Sequence, residues 1–277
     1  MKHVIETLEP RTLLSTYFVT GTSGSDHWFI DCGPGVVRVN GVQTNNPAIT
    51  DVLVNGFDGQ DSVVIQSAGI PVVFNGGNHD DWISLTSGNL TPITATLTFN
   101  GGVGYDYVEV RDTLYAPNTT YTVNSNNVFE RATGHGRTVM DTGTESLRIE
   151  GGGGSNAYYI NNVMPTLGIA ILGGTTGEQF HVDMVTARNV SIDGAGGSDY
   201  LSISDYNRAT GGSYYVGGAV VQQGGSGGEA VGFTNMERLL LQGSGNGPNY
   251  VYGTVRVVGS DPFGLDRDHD GLGCEDG

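Results

Sequence analysis

One motif recurs along the chain and limits what it can fold into. A hydrophobic residue is followed by a glycine-rich turn, then an acid or amide, then alternating apolar residues. It appears as VTGTSGSDHWFI, VNGFDGQDSVVI, FNGGNHDDWISL, FNGGVGYDYVEV, IEGGGGSNAYYI, LGGTTGEQFHV and IDGAGGSDYLSI, with a weaker copy in LQGSGNGPNYVYG. The first glycines are Gly21, Gly56, Gly76, Gly101, Gly151, Gly173, Gly194 and Gly243. Short intervals of ~20–25 residues alternate with longer ones, and a repeat of that length signals a solenoid or array.

Each unit has the same anatomy. Glycine supplies the tight turn. The acid or amide falls at Asp26, Asp61, Asp81, Asp106, Asn156, Glu178 and Asp199. Apolar residues then alternate, as in Val63 and Ile65 or Val108 and Val110, which is the pattern of a strand with one buried face. A second strand-like run, such as PVVF or ITATLTF, lies between units. No long amphipathic helical pattern interrupts the series. The expected fold is therefore all-β: a single right-handed parallel β-helix of about 20–25 residues per coil over residues 17–258. The first glycines should stack along one edge. Val63, Ile83, Val108, Tyr158, Phe180 and Leu201 should form one inner ladder. The longest intervals should each hide a degenerate coil.

The acids of the turns admit two readings. In one, Asp caps the turn by accepting backbone N–H groups. In the other, Asp61, Asp81 and Asp106 form a carboxylate file on coils about 4.8 Å apart, and Ca²⁺ relieves their mutual repulsion. GGVGYDYVEV, at Gly101 to Val110, resembles the RTX-type calcium-binding repeat. That resemblance implies Ca²⁺ at the turns, although RTX repeats run in tandem every nine residues and these do not.

The chain ends in DRDHDGLGCEDG. Asp266, Asp268 and Asp270 alternate, Gly271 permits a sharp turn, and the Leu272 carbonyl and Glu275 follow. This is an oxygen-rich set of the kind Ca²⁺ takes. An EF-hand loop would place a bidentate Glu at position twelve, and here that position is Gly277. The segment resembles the DxDxDGxxCE signature of the excalibur family, a small extracellular calcium-binding module. The resemblance implies a calcium-binding tail over 259–277. At the other end, ETLEPRTLLS resembles the LEPR-XLL motif found near the N-termini of large surface or secreted proteins, notably of planctomycetes. That implies a targeting segment over 1–16 and an extracellular or cell-surface location.

Composition narrows the partners. The formal net charge is −17, and Lys and Arg number only 12 of 277 residues. No basic patch exists for nucleic acid, and no apolar run is long enough for a transmembrane helix. Cys32 and Cys274 are the only cysteines; they should lie at opposite ends of the solenoid, too far apart to pair. His79 and His181 stand alone, and no nucleophile or metalloprotease motif is present. The expectation is a non-catalytic, exported or cell-surface solenoid with calcium-binding capacity and a structural or adhesive role. Its partners would be calcium and surface polysaccharide or other surface proteins. The alternative is a carbohydrate-active β-helix enzyme acting on acidic polysaccharide, which a cluster of acids and arginines on a strand face would favour.

Overall fold

The computed structural model describes residues 15–85, 88–124, 127–132, 135–141, 143–161, 163, 165–184, 189–209, 212–217, 219–224, 229–243, 245–246, 249–252, 255–256 and 272–273, with backbone alone beyond Tyr250. The described residues are all-β, with no helix.

The chain opens with β1 (Ser15–Thr20), β2 (His27–Gly33), β3 (Val36–Val39), β4 (Val42–Asn45), β5 (Ile49–Asp58) and β6 (Ser62–Ala68). Next come β7 (Val72–Asn78), β8 (Trp82–Leu85), β9 (Leu97–Val103), β10 (Tyr107–Arg111), β11 (Thr120–Asn124), β12 (Val128–Arg131) and β13 (Thr138–Met140). They are followed by β14 (Ser146–Glu150), β15 (Ala157–Ile160), β16 (Gly168–Leu172), β17 (Gln179–Asp183), β18 (Asn189–Asp193) and β19 (Tyr200–Ser204). The last are β20 (Ser213–Gly217), β21 (Val220–Gln223), β22 (Ala230–Thr234), β23 (Arg238–Gln242), β24 (Tyr250–Tyr252), β25 (Val255–Arg256) and β26 (Leu272–Gly273).

Two large, mostly parallel sheets result. Sheet I has eleven strands in the order β1-β5-β7-β9-β13-β12-β11-β15-β17-β19-β23. Sheet II has thirteen, in the order β24-β20-β21-β22-β18-β16-β14-β10-β8-β6-β2-β3-β4. Neither closes on itself. Where the repeat is regular, successive strands go to the two sheets in turn: β5 to I, β6 to II, β7 to I, β8 to II. The cause is the motif itself. Each strand is too short to do more than cross one sheet before its glycine-rich corner.

The alternation of apolar residues buries one face of each strand, and one apolar cluster draws on both sheets. Trp28 of sheet II meets Phe74 of sheet I edge to face, with ring centroids 6.3 Å apart. Along sheet I, Tyr121, Tyr158 and Phe180 stack in sequence, at 5.0 and 4.8 Å. All three rings are fully buried, and such stacked pairs contribute roughly 0.5–1.5 kcal/mol beyond area burial.

The six residues expected in one ladder fall into two. Val63, Ile83 and Val108 are in register on sheet II. Tyr158, Phe180 and Leu201 are in register on sheet I. The reason lies in the long intervals, which hold antiparallel excursions in place of hidden coils. β2, β3 and β4 pair antiparallel in sheet II. β11, β12 and β13 form an antiparallel meander within sheet I, and β20, β21 and β22 do the same within sheet II. A three-strand meander keeps the chain on one sheet, so the glycine-rich corner that follows joins the sheets in the opposite sense. Before the β11–β13 meander, the glycine-rich corners run from sheet I to II; between it and the β20–β22 meander they run from II to I; the last, from β23 to β24, runs from I to II again.

The two later meanders belong to a longer internal repeat of about 93 residues. Asp106, Asp112 and Tyr121 recur as Asp199, Asp205 and Tyr214, and β9 to β15 recur as β18 to β24, on exchanged sheets. Each copy anchors its meander through a buried aspartate. Asp112 accepts the Tyr121 hydroxyl at 2.8 Å, Arg131 Nη1 at 2.8 and 3.0 Å, and the Leu90 backbone N–H at 2.9 Å. The Arg131 guanidinium also lies 4.1 Å from the centroid of the Tyr115 ring. Asp205 accepts the Tyr214 hydroxyl at 2.7 Å and Arg208 Nε at 2.6 Å.

Candidate functional site

The corners gather the acids that the sequence singles out, and a hydrogen-bond pattern repeats through them. At each corner the backbone leaves the sheet, and its N–H loses the ladder partner that a strand residue would have. A buried N–H without an acceptor is costly. The side chain of the next corner supplies that acceptor. Asp26 N–H donates to Asp61 Oδ1, Asp61 N–H to Asp81 Oδ1 and Asp81 N–H to Asp106 Oδ1, each at 2.7 Å. Asp106 N–H donates to Glu145 Oε2 at 2.8 Å. The carbonyls of the same residues accept the first N–H of the neighbouring parallel strand, as in Trp82 N–H to Asp61 O at 2.9 Å.

A second file runs along the opposite corners. Thr119 N–H donates to Asn156 Oδ1 at 3.2 Å, Glu178 N–H to Asp199 Oδ1 at 2.7 Å, and Asp199 N–H to Glu237 Oε2 at 2.5 Å. Thus the expected single file of turns is two files, on the two kinds of corner, with a changeover at the β11–β13 meander and a return to the first kind after β20–β22, where Gly212 N–H donates to Asn249 Oδ1 at 3.2 Å.

The glycine of the motif has a specific duty here. A Cβ on Gly76 would collide with Asp81 Oδ2 and with the Gly101 carbonyl, and one on Gly101 would meet Asp106 Oδ2 and the Gly143 carbonyl. The acid folds back over its own turn, and only a glycine Cα leaves room for it.

Asp61, Asp81 and Asp106 are thus brought together as a file, each almost fully buried. One oxygen of each serves the preceding corner. The other, Oδ2 in all three, is buried without a hydrogen-bond partner. Burial pushes Asp81 up to about 7; the Asp61 N–H opposes the rise, and the charges of Asp106 and Asp61 add to it. Burial likewise lifts Asp106 to about 6, against the Asp81 N–H, with Glu145, Asp141 and Asp80 contributing. Asp61 is also raised by burial. In the second file, burial and its Asp199 neighbour hold Glu178 well above the usual carboxylate range.

This donor set does not fit Ca²⁺, which takes six to eight oxygens at about 2.3–2.6 Å. Each corner offers one spare oxygen, and that oxygen lies against a glycine. Among the described residues no group of three or more His, Cys, Asp or Glu side chains is placed to hold a metal ion. Of the tail residues, Asp266, Asp268, Asp270 and Glu275 lie outside the described residues, and Leu272 is in the short β26, antiparallel to β25. Cys32 is buried in β2 with its thiol pushed up to about 11 by burial; Cys274 lies outside the described residues.

A polar cluster occupies the outer face of sheet II. Glu109 accepts Ser84 Oγ at 2.9 Å and Arg111 Nη2 at 2.7 Å. Glu150 accepts Arg148 Nη2 at 2.8 Å and stands 3.3 Å from Arg111 Nε. His181, by contrast, stacks on Tyr159 with centroids 4.7 Å apart, and burial lowers its pKa.

Sequence reasoning missed Glu145 and Glu237, which end the two files. Their signal is an acid directly before a strand, without the glycine run. It also missed Asp112, Arg131 and Tyr121, whose contacts span distant parts of the chain.

No protein-family model matches the chain, and no curated protein or solved structure does either. No helix among the described residues is long and apolar enough to cross a membrane.

Proposed function

We propose that this chain is an exported or cell-surface, non-catalytic scaffold with a structural or adhesive role. In this reading the two sheets are the two sides of one continuous right-handed β-solenoid. Its support is the exchange of strands between sheets outside the antiparallel excursions and the apolar cluster the sheets share. The observation that carries the non-catalytic reading is the employment of the body's acids. The file carboxylates are buried and bound to backbone N–H groups, where a substrate has no access to them. The LEPR-XLL resemblance supports export. The RTX and excalibur resemblances support calcium-binding capacity, which this reading assigns to the tail: Asp266, Asp268, Asp270, Glu275 and the Leu272 carbonyl. Surface polysaccharide and other surface proteins are the partner classes.

Calorimetry of the full chain with Ca²⁺ tests the tail. Binding at a Kd of about 10⁻⁴–10⁻³ M, abolished by Asp268→Ala with Asp270→Ala while the melting temperature stays within about 2 °C, supports the reading. No heat at millimolar Ca²⁺ removes the calcium part of it.

A second reading rests on one observation, the Glu109, Arg111, Arg148 and Glu150 cluster on an open strand face. It is the arrangement that a carbohydrate-active β-helix acting on acidic polysaccharide would need. Both acids are engaged by arginines, which argues for a binding role over proton transfer. Incubation with a panel of uronate-containing polysaccharides decides: product release favours the enzyme, and its absence favours the scaffold.

A further inference from the structure

The buried corner acids raise a question that turn capping alone leaves open: what balances their second oxygen? Asp61, Asp81 and Asp106 Oδ2, Glu178 Oε2 and Asp199 Oδ2 are all buried with no donor in reach. None of these residues has an arginine or histidine ion pair among the described residues. Asn156 holds the equivalent place in the second file and shows what the slot accepts. Its Oδ1 takes the Thr119 N–H, and its Nδ2 donates to the Gly152 carbonyl at 3.0 Å. A neutral side chain with one acceptor and one donor atom fits. A protonated carboxyl group has that same pair of functions; a carboxylate has two acceptors and no donor.

We propose that the acid files are proton-held latches, in which Asp81, Asp106 and Glu178 close their corners as neutral carboxylic acids and ionisation loosens those corners. The groups that face them are mostly acidic. Asp81 faces Asp61 and Asp106 on the adjoining corners, with His79 alone offering positive charge. Asp106 faces Glu145, Asp141 and Asp80. Glu178 accepts the Thr176 hydroxyl on Oε1 at 3.1 Å and faces Asp199 and the buried Tyr158, and Arg238 borders that group without an ion pair among the described residues. With no ion pair among the described residues to stabilise it, each ionised member meets both desolvation and like charge.

The sign follows from proton uptake. These groups hold a proton in the folded chain to a higher pH than in the unfolded one. Their contribution to stability is fully present below the ordinary carboxyl range, about 4, and is lost as pH rises through about 6 for Asp106, about 7 for Asp81 and about 8 for Glu178. A chain built this way is firmest in mild acid and relaxes towards alkaline pH.

Thermal unfolding of the full chain at pH 5 and pH 8 tests the latch. The unmodified chain is expected to melt about 5 °C lower at pH 8. Asp81→Asn with Asp106→Asn, which supplies a permanent donor, is expected to remove most of that difference by raising the pH 8 value. An unchanged pH difference in the variant overturns the proposal. If the variant does not fold, ¹³C NMR titration of the carboxyl groups of the unmodified chain decides: at least two titrating above about pH 6 supports the latch, and all titrating below about pH 5 overturns it. Ca²⁺ added at pH 8 is the remaining arm. Restoration of the pH 5 melting temperature in the unmodified chain alone would make the file a cation site and overturn the proton-held latch.

Discussion

Asp106 and Asp112 stand at the two ends of one five-residue strand, β10, and both are wholly buried. Their surroundings differ completely. Asp112 lies in an ion pair with Arg131, whose side chain is equally buried, and takes the Tyr121 hydroxyl as well. Asp106 takes one backbone N–H, leaves an oxygen unpartnered, and sits among acids. Two general solutions exist for a buried carboxyl: supply a cation and donors to the charged form, or let the group keep its proton. This chain uses the first at its meanders and the second at its corners. The choice follows geometry. A meander brings a distant strand, and with it Arg131, to the buried acid. A corner file stacks copies of one turn, so every acid has another acid as its neighbour.

The largest effect expected separates the two solutions. Arg131→Met leaves Asp112 buried and unpaired, and should cost about 3–5 kcal/mol in denaturant unfolding. Asp106→Asn at pH 8 should cost nothing or stabilise. Similar losses for the two would break the comparison. Next in size, Tyr121→Phe and Tyr214→Phe should each cost about 1–2 kcal/mol, since each hydroxyl serves a buried aspartate in one copy of the longer repeat. A clear loss in one and none in the other would show that the two copies have diverged in how they hold their meanders.

How much of this can be read from the sequence differs by level. Glycine, acid and period-two apolar residues lie within about twelve positions of one another, so the β repeat and its parallel stacking are legible. Whether a strand runs parallel or antiparallel depends on its tertiary neighbours, and nothing in VNSNNVFERATGHGRTVM marks β11 to β13 as a meander. The change of corner from one file to the other follows from that unseen meander. The role of Asp81 is equally hidden, because the N–H it accepts belongs to Asp61, 20 residues away. Read alone, an acid in a glycine turn admits both capping and calcium; the file adds the backbone N–H that each aspartate accepts. Arg131 looks like a scattered surface arginine until the fold carries it to Asp112.

His135 gives a smaller effect of opposite sign to the corner acids. Burial and the Arg131 charge lower its pKa from 6.5 to about 4. Its contribution is present above about 6.5 and lost as pH falls towards 4. The melting temperature of His135→Leu relative to the unmodified chain should therefore rise steadily between pH 6.5 and pH 4. A constant difference would mean that His135 does not titrate in that range. The smallest effect belongs to the outer face of sheet II. Arg148 is half exposed, so Arg148→Ala should change stability by less than about 1 kcal/mol. A greater loss in denaturant unfolding would show that the Glu109 and Glu150 cluster helps to hold the sheet.

The central claim is that the aspartates of the corner files exist to accept one backbone N–H from the corner before them. Amide hydrogen exchange at Asp61 tests this directly, because that N–H donates to Asp81 Oδ1 at 2.7 Å. Protection at Asp61 should persist in Asp81→Asn and fall about tenfold or more in Asp81→Ala, while the strand amide of Ile83 changes far less. Equal protection at Asp61 in the unmodified chain and in Asp81→Ala would contradict the account.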